Sequence, residues 1–181
     1  MLGSVLRVSV KRKVPGEFGL PKGAVPVLRV TSSGAEGDYN NYRTLELHGD
    51  PDQALLLVTQ DLLHQLGQEG WPVEPGDLGE NVTLADVAEL DLHAGVRLRV
   101  GAVRLEVTRP CDPCTELYTL PYVGPERGPA FLKATAGRRG WYAKVLVAGE
   151  INPSAAVVVQ GHKPATEPAL APAERAAEAI P

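Results

Sequence analysis

Cys111 and Cys114 are the residues of this chain best suited to covalent or metal chemistry. Two residues separate them, and the prolines beside them favour a loop. Cys114 directly precedes Thr115, where a helical turn could begin, and the free N–H groups at the start of a helix favour an anionic sulfur. Arg109 adds positive charge in the same loop. The segment therefore supplies the conditions for a nucleophilic or metal-binding sulfur.

Four interpretations of the cysteine pair stay open on the residues alone. They are two ordinary buried cysteines, a redox-active Cys-x-x-Cys, a zinc site, and a single activated thiolate that serves as nucleophile, sulfur carrier or soft-metal ligand. The thioredoxin type of redox pair has a βαβ context, which this sequence does not predict. A zinc site requires two further ligands, and none of the histidines shows a paired ligand spacing (His48, His64, His93 and His162).

Length and composition limit the kind of molecule that holds this sulfur. The 181 residues fit one domain, 44% of them are hydrophobic, and the formal net charge is −4. No apolar run approaches the roughly 18 residues of a membrane helix, and the N-terminus lacks the apolar core of a signal peptide. A net acidic chain does not favour nucleic-acid binding. We therefore expect a cytoplasmic protein with neither membrane nor nucleic acid as a partner.

The charge is unevenly distributed along the chain. Residues 1–35 carry a net charge of +5, residues 36–91 carry −12, and residues 92–150 carry +4. The acidic segment could simply supply solvated faces. Alternatively, the two basic segments could meet in space and form an anion site.

Alternating apolar residues and frequent turn formers predict a mainly β, mixed α+β protein, with a barrel favoured over a parallel sheet. The strongest signal is a hairpin with the loop Gly101-Ala102, which sets Leu98 opposite Leu105 and Arg99 opposite Arg104. Six strands are predicted, at 5–10, 25–31, 96–100, 103–107, 141–147 and 155–159.

One long helix is predicted over about 51–67. Asp50 can cap it, Pro51 suits the first helical position, and Gln53 occupies the return position of a capping box. Apolar residues then follow at spacings of three and four (Leu55, Val58, Leu62 and Leu66).

The composition divides the chain near its end. Residues 1–162 are assigned to one domain, and the Ala/Pro/Glu-rich residues 163–181 are predicted to be a mostly disordered tail with a short helix over 172–179.

Four motifs resemble, in their order and spacing, those of the MOSC domain family, which is named for the C-terminal part of molybdenum-cofactor sulfurases. They are Gly34-Ala-Glu-Gly-Asp38, His48-Gly-Asp-Pro-Asp-Gln-Ala54, Gly79-Glu-Asn81 and Pro110-Cys-Asp-Pro-Cys114-x-x-Leu117. The resemblance extends from about Gly19 to Val159. It implies a MOSC-type β-barrel with a few helices, and it identifies Cys114, rather than Cys111, as the functional cysteine.

The resemblance also implies a cofactor. Family members bind the molybdenum cofactor or carry sulfur, and in some the cysteine sulfur ligates molybdenum while N-hydroxylated compounds are reduced. Cys114 is then the catalytic residue and the molybdenum ligand. The residues expected to bind the cofactor are Lys22, Asp38, His48, Glu80, Asn81, Arg109 and Arg139, with Arg138 as a further cation for its phosphate. A reductase of this type needs an electron-transfer partner, and a carrier needs a sulfur donor.

The chain departs from the family pattern in several ways. The usual His-Gly-Gly-Pro-Asp-Arg is replaced by a motif with Asp50 and Gln53, and Cys111 is an additional cysteine. No pyridoxal-phosphate domain is recognisable. Three hypotheses follow: a molybdenum-dependent oxidoreductase, a non-catalytic module or sulfur transferase that passes sulfur or cofactor to another enzyme, and a thiol redox protein that uses both cysteines.

Overall fold

A computed structural model describes residues 2–39, 43, 46 and 48–160 of the chain. The strands are, in chain order, β1 Leu2–Val10, β2 Gly23–Ala24, β3 Leu28–Thr31, β4 Gly34–Ala35, β5 Leu55–Thr59, β6 Val82–Ala85, β7 Arg97–Val100, β8 Val103–Pro110, β9 Trp141–Val147, β10 Gly149–Ile151 and β11 Ala156–Gln160. The α-helices are α1 Gln60–Gln68 and α2 Gly124–Thr135, and short 3-10 helices occupy Pro51–Gln53, Glu89–Asp91 and Thr115–Thr119.

Seven strands form a closed barrel in the order β11-β7-β8-β9-β5-β6-β1, because β1 also pairs with β11. Every neighbouring pair in this ring is antiparallel except β5 and β6, which run parallel. The strand β2 pairs with the far end of β1, and β10, β3 and β4 form a separate small sheet. The predicted mixed α+β barrel is confirmed.

The β7–β8 hairpin has the predicted register. Leu98 pairs with Leu105 and both are buried, whereas Arg99 pairs with Arg104 and both are exposed. Solvent therefore screens the two like charges. The alternation of buried and exposed residues explains why this part of the fold could be predicted from the sequence.

The predicted helix over 51–67 is wrong in its first half. Asp50 does cap a helical turn, since its Oδ1 accepts a hydrogen bond from the backbone N–H of Asp52 at 3.0 Å, but the turn is a 3-10 helix that ends at Gln53. Strand β5 follows, and α1 begins only at Gln60, after Thr59, whose hydroxyl accepts from the N–H of Leu62 at 3.3 Å.

Burial on both faces of β5 explains this error. All five of its residues are buried, because Leu55 and Leu57 point into the barrel core while Val58 packs with Leu62 in a second core under α1. A strand that is covered on both sides has a continuous apolar sequence, and such a run also fits one face of a helix.

Helix α2 is not predicted by the sequence, because it contains Pro129 and begins with Gly124. It packs against the 3-10 helix Thr115–Thr119. Gly128 makes this approach close, since a Cβ at that position would lie 2.4 Å from the ring of Tyr118. Phe131 is fully buried in the second core, so α2 is held by tertiary packing rather than by helix propensity.

The predicted tail, residues 163–181, and the predicted end of the domain at 162 lie outside the described residues. Within the described part of the chain, no helix has the length and apolar character needed to cross a membrane.

Candidate functional site

Cys114 lies where strand β8 gives way to a short helix. Residues 111–114 have no regular secondary structure, and Cys114, whose own backbone is extended, is the N-cap residue of the 3-10 helix Thr115–Thr119, where the sequence predicts the start of a helical turn. Its side chain makes no capping hydrogen bond and is exposed. The sulfur is therefore accessible to a ligand or reactant.

The guanidinium of Arg139 contacts the sulfur of Cys114 from the buried side of the cleft. Its Nη1 lies 3.1 Å from the Sγ of Cys114 and donates to the carbonyl of Asp112 at 3.0 Å. Its Nε and Nη2 both donate to the carbonyl of Leu78 at 3.2 Å. Arg139 is only 6% exposed, so its guanidinium is fixed in one position at the base of the site.

A cleft of about 420 Å³ opens over Cys114. Arg109 and Arg139 line it together with Gln53 and Tyr142. The guanidinium of Arg109 lies over the ring of Tyr142, 5.4 Å from its centre. Three acidic residues also line it, namely Glu46, Asp112 and Glu116, so the cleft combines a thiol, two cations, three acidic side chains and an aromatic face.

A narrower polar pocket adjoins the cleft, with a volume of about 30 Å³. Lys22 and Arg43 line it, and it shares Gln53 and Tyr142 with the cleft. Lys22 comes from the first basic segment of the sequence, whereas Arg109 and Arg139 come from the last. The two basic segments therefore do meet around adjoining cavities.

Lys22 is held by a buried network. Its Nζ lies 2.6 Å from Oδ2 of Asp38, which also accepts a hydrogen bond from Nδ2 of Asn81 at 2.9 Å. Asn81 in turn accepts from the N–H of Leu56 at 3.2 Å and donates to the carbonyl of Ser9 at 3.3 Å. Asp38 and Asn81 line the narrow pocket, but their hydrogen bonds mainly fix Lys22 and the ends of the strands.

Glu80 lines neither the narrow pocket nor the cleft. Its side chain is fully buried, and Oε1 accepts from the N–H of Gly76 at 2.5 Å and from the hydroxyl of Thr83 at 3.0 Å. Burial raises the pKa of Glu80, although these hydrogen bonds and Lys22 act in the opposite direction. Glu80 is thus a structural residue of the loop that carries Leu78.

Two other predicted residues lie apart from the cleft. His48 is exposed, with a φ of 48°, and lines neither cavity. Arg138, a candidate for phosphate binding, is instead bonded to the carboxylate of Glu69 and to the carbonyl of Ala134 at 2.6 Å. It is absent from the lining of both cavities.

Cys111 is 1% exposed, and burial raises the pKa of its thiol. Its backbone N–H donates to the carbonyl of Gly140 at 2.9 Å. Residues 111–114 form no turn. The two cysteines therefore do not share a helical turn as in a thioredoxin-type pair.

Tyr142, Gln53 and Arg43 line the cavities although the sequence does not predict them there. The sequence could have indicated Tyr142 as a site residue, because it lies three residues after Arg139 and alternates with the buried Ala143 on strand β9. For Gln53 the sequence pattern indicates only helix capping. In the described ranges, no three His, Cys, Asp or Glu side chains are grouped so that they could hold a metal ion together.

The family model of the MOSC domain matches residues 44–158, more than half of this chain. Protein YiiM of Escherichia coli K12 is 28% identical over 134 residues. That alignment covers 71% of this chain and 57% of YiiM, so the chain spans little more than half the length of this curated relative.

Solved structures share the fold. A crystal structure of the YuaD protein from Bacillus subtilis has a TM-score of 0.71 at 16% identity, covering 87% of this chain and 94% of that one. YiiM from Geobacillus stearothermophilus has a TM-score of 0.65 at 24% identity, covering 88% of this chain and 75% of that one. YiiM from Escherichia coli has a TM-score of 0.62 at 21% identity, covering 89% and 70%.

Proposed function

Because this chain belongs to the MOSC domain family, we propose that Cys114 is its reactive residue and either ligates molybdenum of the molybdenum cofactor or carries sulfur as a persulfide. The observation that carries the proposal is the exposed sulfur of Cys114 in a cleft of about 420 Å³, with Arg139 within 3.1 Å of it. A thiolate is a soft ligand suited to such a metal, and a persulfide requires an accessible sulfur.

The residues around the cleft fit the cofactor. Cys114 would supply the sulfur ligand, and Arg109, which lines the same cleft, would attract the phosphate. When bound, the cofactor would supply two-electron redox chemistry at molybdenum. On the basis of the family resemblance, the reaction that we propose is the reduction of an N-hydroxylated compound, with electrons from a partner protein.

The protein's own residues have separate tasks in this proposal. Arg139 orients the sulfur of Cys114 from the buried side of the cleft. Arg109 and Tyr142 form one wall, where a cation over an aromatic ring could receive a planar or anionic part of a ligand.

A non-catalytic carrier is the second candidate. It is favoured by the exposure of Cys114, since a sulfur that is passed to another enzyme must be reached by that enzyme. A thiol redox protein is the third candidate, and it is the least supported, because Cys111 is buried and residues 111–114 form no turn. Each of these roles involves a reduced thiol, so we propose the cytoplasm as the compartment.

One experiment separates the three candidates. The full-length protein is purified from a host that makes the cofactor, beside Cys114→Ser and Cys111→Ser variants, and bound molybdenum and the mass of each thiol are measured. Molybdenum that is lost only with Cys114→Ser supports the cofactor role. An added sulfur atom on Cys114 without molybdenum supports the carrier. A reversible loss of two hydrogens that requires both cysteines, with neither other species present, contradicts the proposal and supports the redox pair.

A further inference from the structure

A further cavity, here called the aromatic cavity, adjoins the cleft of Cys114. Its volume is about 330 Å³, and Phe18, Tyr39 and Glu116 are among the residues that line it. Glu116 also lines the cleft of Cys114, so the two cavities meet at this side chain. A ligand that contacts Glu116 can therefore reach into both.

Two aromatic side chains give this cavity its character. Phe18 is 60% exposed, so its ring offers apolar area to a ligand. Tyr39 is held in place by its backbone N–H, which donates to the carbonyl of Lys11 at 2.7 Å. The Nζ of Lys13, which does not line the cavity, lies 5.0 Å from the centre of the Tyr39 ring. This ring is thus already placed where it attracts a positive charge.

Glu116 contributes a negative charge that no side chain of the described residues balances. No ion pair or hydrogen bond in this part of the chain involves its carboxylate, and neither Arg109 nor Arg139 is paired with it. Glu17, the other acid that lines the aromatic cavity, is bonded to Lys11. In the described ranges no lysine or arginine lines this cavity, so its uncompensated charge is negative.

The fold places this carboxylate close to both rings. A Cβ added to Gly19 would lie 3.6 Å from Oε2 of Glu116 and 3.6 Å from the carbonyl oxygen of Tyr39. The carboxylate therefore lies against the backbone that directly follows Phe18 and faces the segment that carries Tyr39. A carboxylate beside aromatic rings is the combination that binds organic cations, through charge-assisted hydrogen bonds and cation–π attraction.

We propose that the aromatic cavity binds the aromatic group of an ammonium compound, whose positive charge lies on Glu116 and whose remainder points toward Cys114. The inference rests on the proposed function and names its class of substrate, a compound with a cationic nitrogen between an aromatic group and the reacting group. An anionic compound of the same shape would be repelled by Glu116.

The probe for this site is 2-phenylethylamine, with neutral 2-phenylethanol and anionic 3-phenylpropionate as its counterparts. Binding to the full chain at neutral pH is measured from the shifts of the backbone amide signals in NMR. We expect the amine to bind at least about tenfold more tightly than either counterpart, since only the amine can form a charge-assisted hydrogen bond with the carboxylate.

Two substitutions test the two kinds of contact. Glu116→Gln should weaken binding of the amine about tenfold, and Phe18→Ala should weaken it about fivefold. Glu126→Gln and Leu90→Ala are the matched controls, because both positions are exposed and line neither cavity. Both controls should bind the amine as the wild type does.

A second readout tests the direction of the ligand. A saturating concentration of 2-phenylethylamine should slow the alkylation of Cys114 by iodoacetamide, measured by mass, in the wild type. The same concentration should have little effect in Glu116→Gln, where the site is less occupied. An unchanged alkylation rate in the saturated wild type would contradict the placement of the ammonium group beside the cleft.

The inference is overturned if the wild type does not bind the amine, if either counterpart binds as tightly, or if Glu116→Gln retains the wild-type affinity. All these measurements use the protein without molybdenum or added sulfur. Loss of molybdenum or sulfur loading therefore tests the proposed function separately, and a cation site that stands without such loading would contradict that function alone.

Discussion

Individual side chains in this protein divide into those that reach the cleft and those that hold them there. Lys22 and Arg139 are cations in buried positions, and each is fixed by groups of a different kind. Lys22 has a carboxylate, Asp38, whereas Arg139 has carbonyls and a sulfur. Glu80 is a buried acid in the loop that carries Leu78, and burial raises its pKa.

The protonation of Glu80 should be visible in the stability of the protein. Glu80→Gln keeps an acceptor for the N–H of Gly76 and for Thr83 but removes the titration. In the wild type, the folded state keeps its proton above the ordinary pKa of a glutamate while the unfolded state loses it. The wild-type free energy of unfolding should therefore fall, relative to Glu80→Gln, by about 1.4 kcal/mol per pH unit between the ordinary and the raised pKa.

Urea denaturation of both proteins at a series of pH values measures this difference. Glu126→Gln, at an exposed position, is the matched control and should follow the wild-type curve. Stability curves of wild type and Glu80→Gln that run parallel across the whole range would contradict the prediction.

At the scale of elements, the loop of residues 111–114, here called the cysteine loop, depends on the start of strand β9. Trp141 pairs with Leu57 of β5 and with Pro110 of β8, so the turn before it must bring β9 between the two strands. Gly140 occupies the tightest point of that turn. A Cβ there would lie 2.4 Å from the carbonyl oxygen of Leu57.

Gly140→Ala should therefore destabilise the protein more than an alanine at another positive-φ glycine. Gly137 has a φ of 71°, and a methyl group added there would meet nothing within 4 Å, so Gly137→Ala is the matched control. We expect Gly137→Ala to cost roughly 1 kcal/mol of unfolding free energy and Gly140→Ala about 3 kcal/mol. Equal losses in thermal or urea unfolding would show that the close approach to Leu57 does not constrain this turn.

At the scale of the whole molecule, two cores serve different purposes. The first fills the barrel and includes Leu105, and the second lies between α1, α2 and the outside of β5 and includes Phe131. Helix α2 packs on the 3-10 helix that begins directly after Cys114. The second core therefore supports the cysteine loop, while the first supports the barrel.

Truncation in each core should separate these two roles. Phe131→Ala should cost about 3–5 kcal/mol of unfolding free energy and Leu105→Ala about 2–5 kcal/mol. In conditions where both variants remain folded, only Phe131→Ala should change the alkylation rate of Cys114, because only that cavity loosens the adjoining 3-10 helix. Equal changes of the rate in both variants would contradict this division.

The sequence predicts this molecule best where the controlling interactions are local. The hairpin around Gly101 and the helical turn after Cys114 depend on neighbouring residues, and both predictions are confirmed. Strand β5 has the sequence pattern of a helix because its second buried face is created by distant elements. The adjoining pockets of Lys22 and Cys114 likewise depend on the closure of the barrel, which spacing along the chain does not reveal.

The number of strands in the closed barrel also determines how their directions can alternate. Strands that alternate in direction around a ring can do so without exception only when their number is even, and this ring has seven. One parallel neighbour is therefore unavoidable in a ring whose other pairs are antiparallel, and it falls between β5 and β6. A parallel pair needs a long crossover, and here that crossover carries α1 and, at its end, the Leu78 carbonyl that holds Arg139. The odd strand count thus makes room for the segment that supports the sulfur.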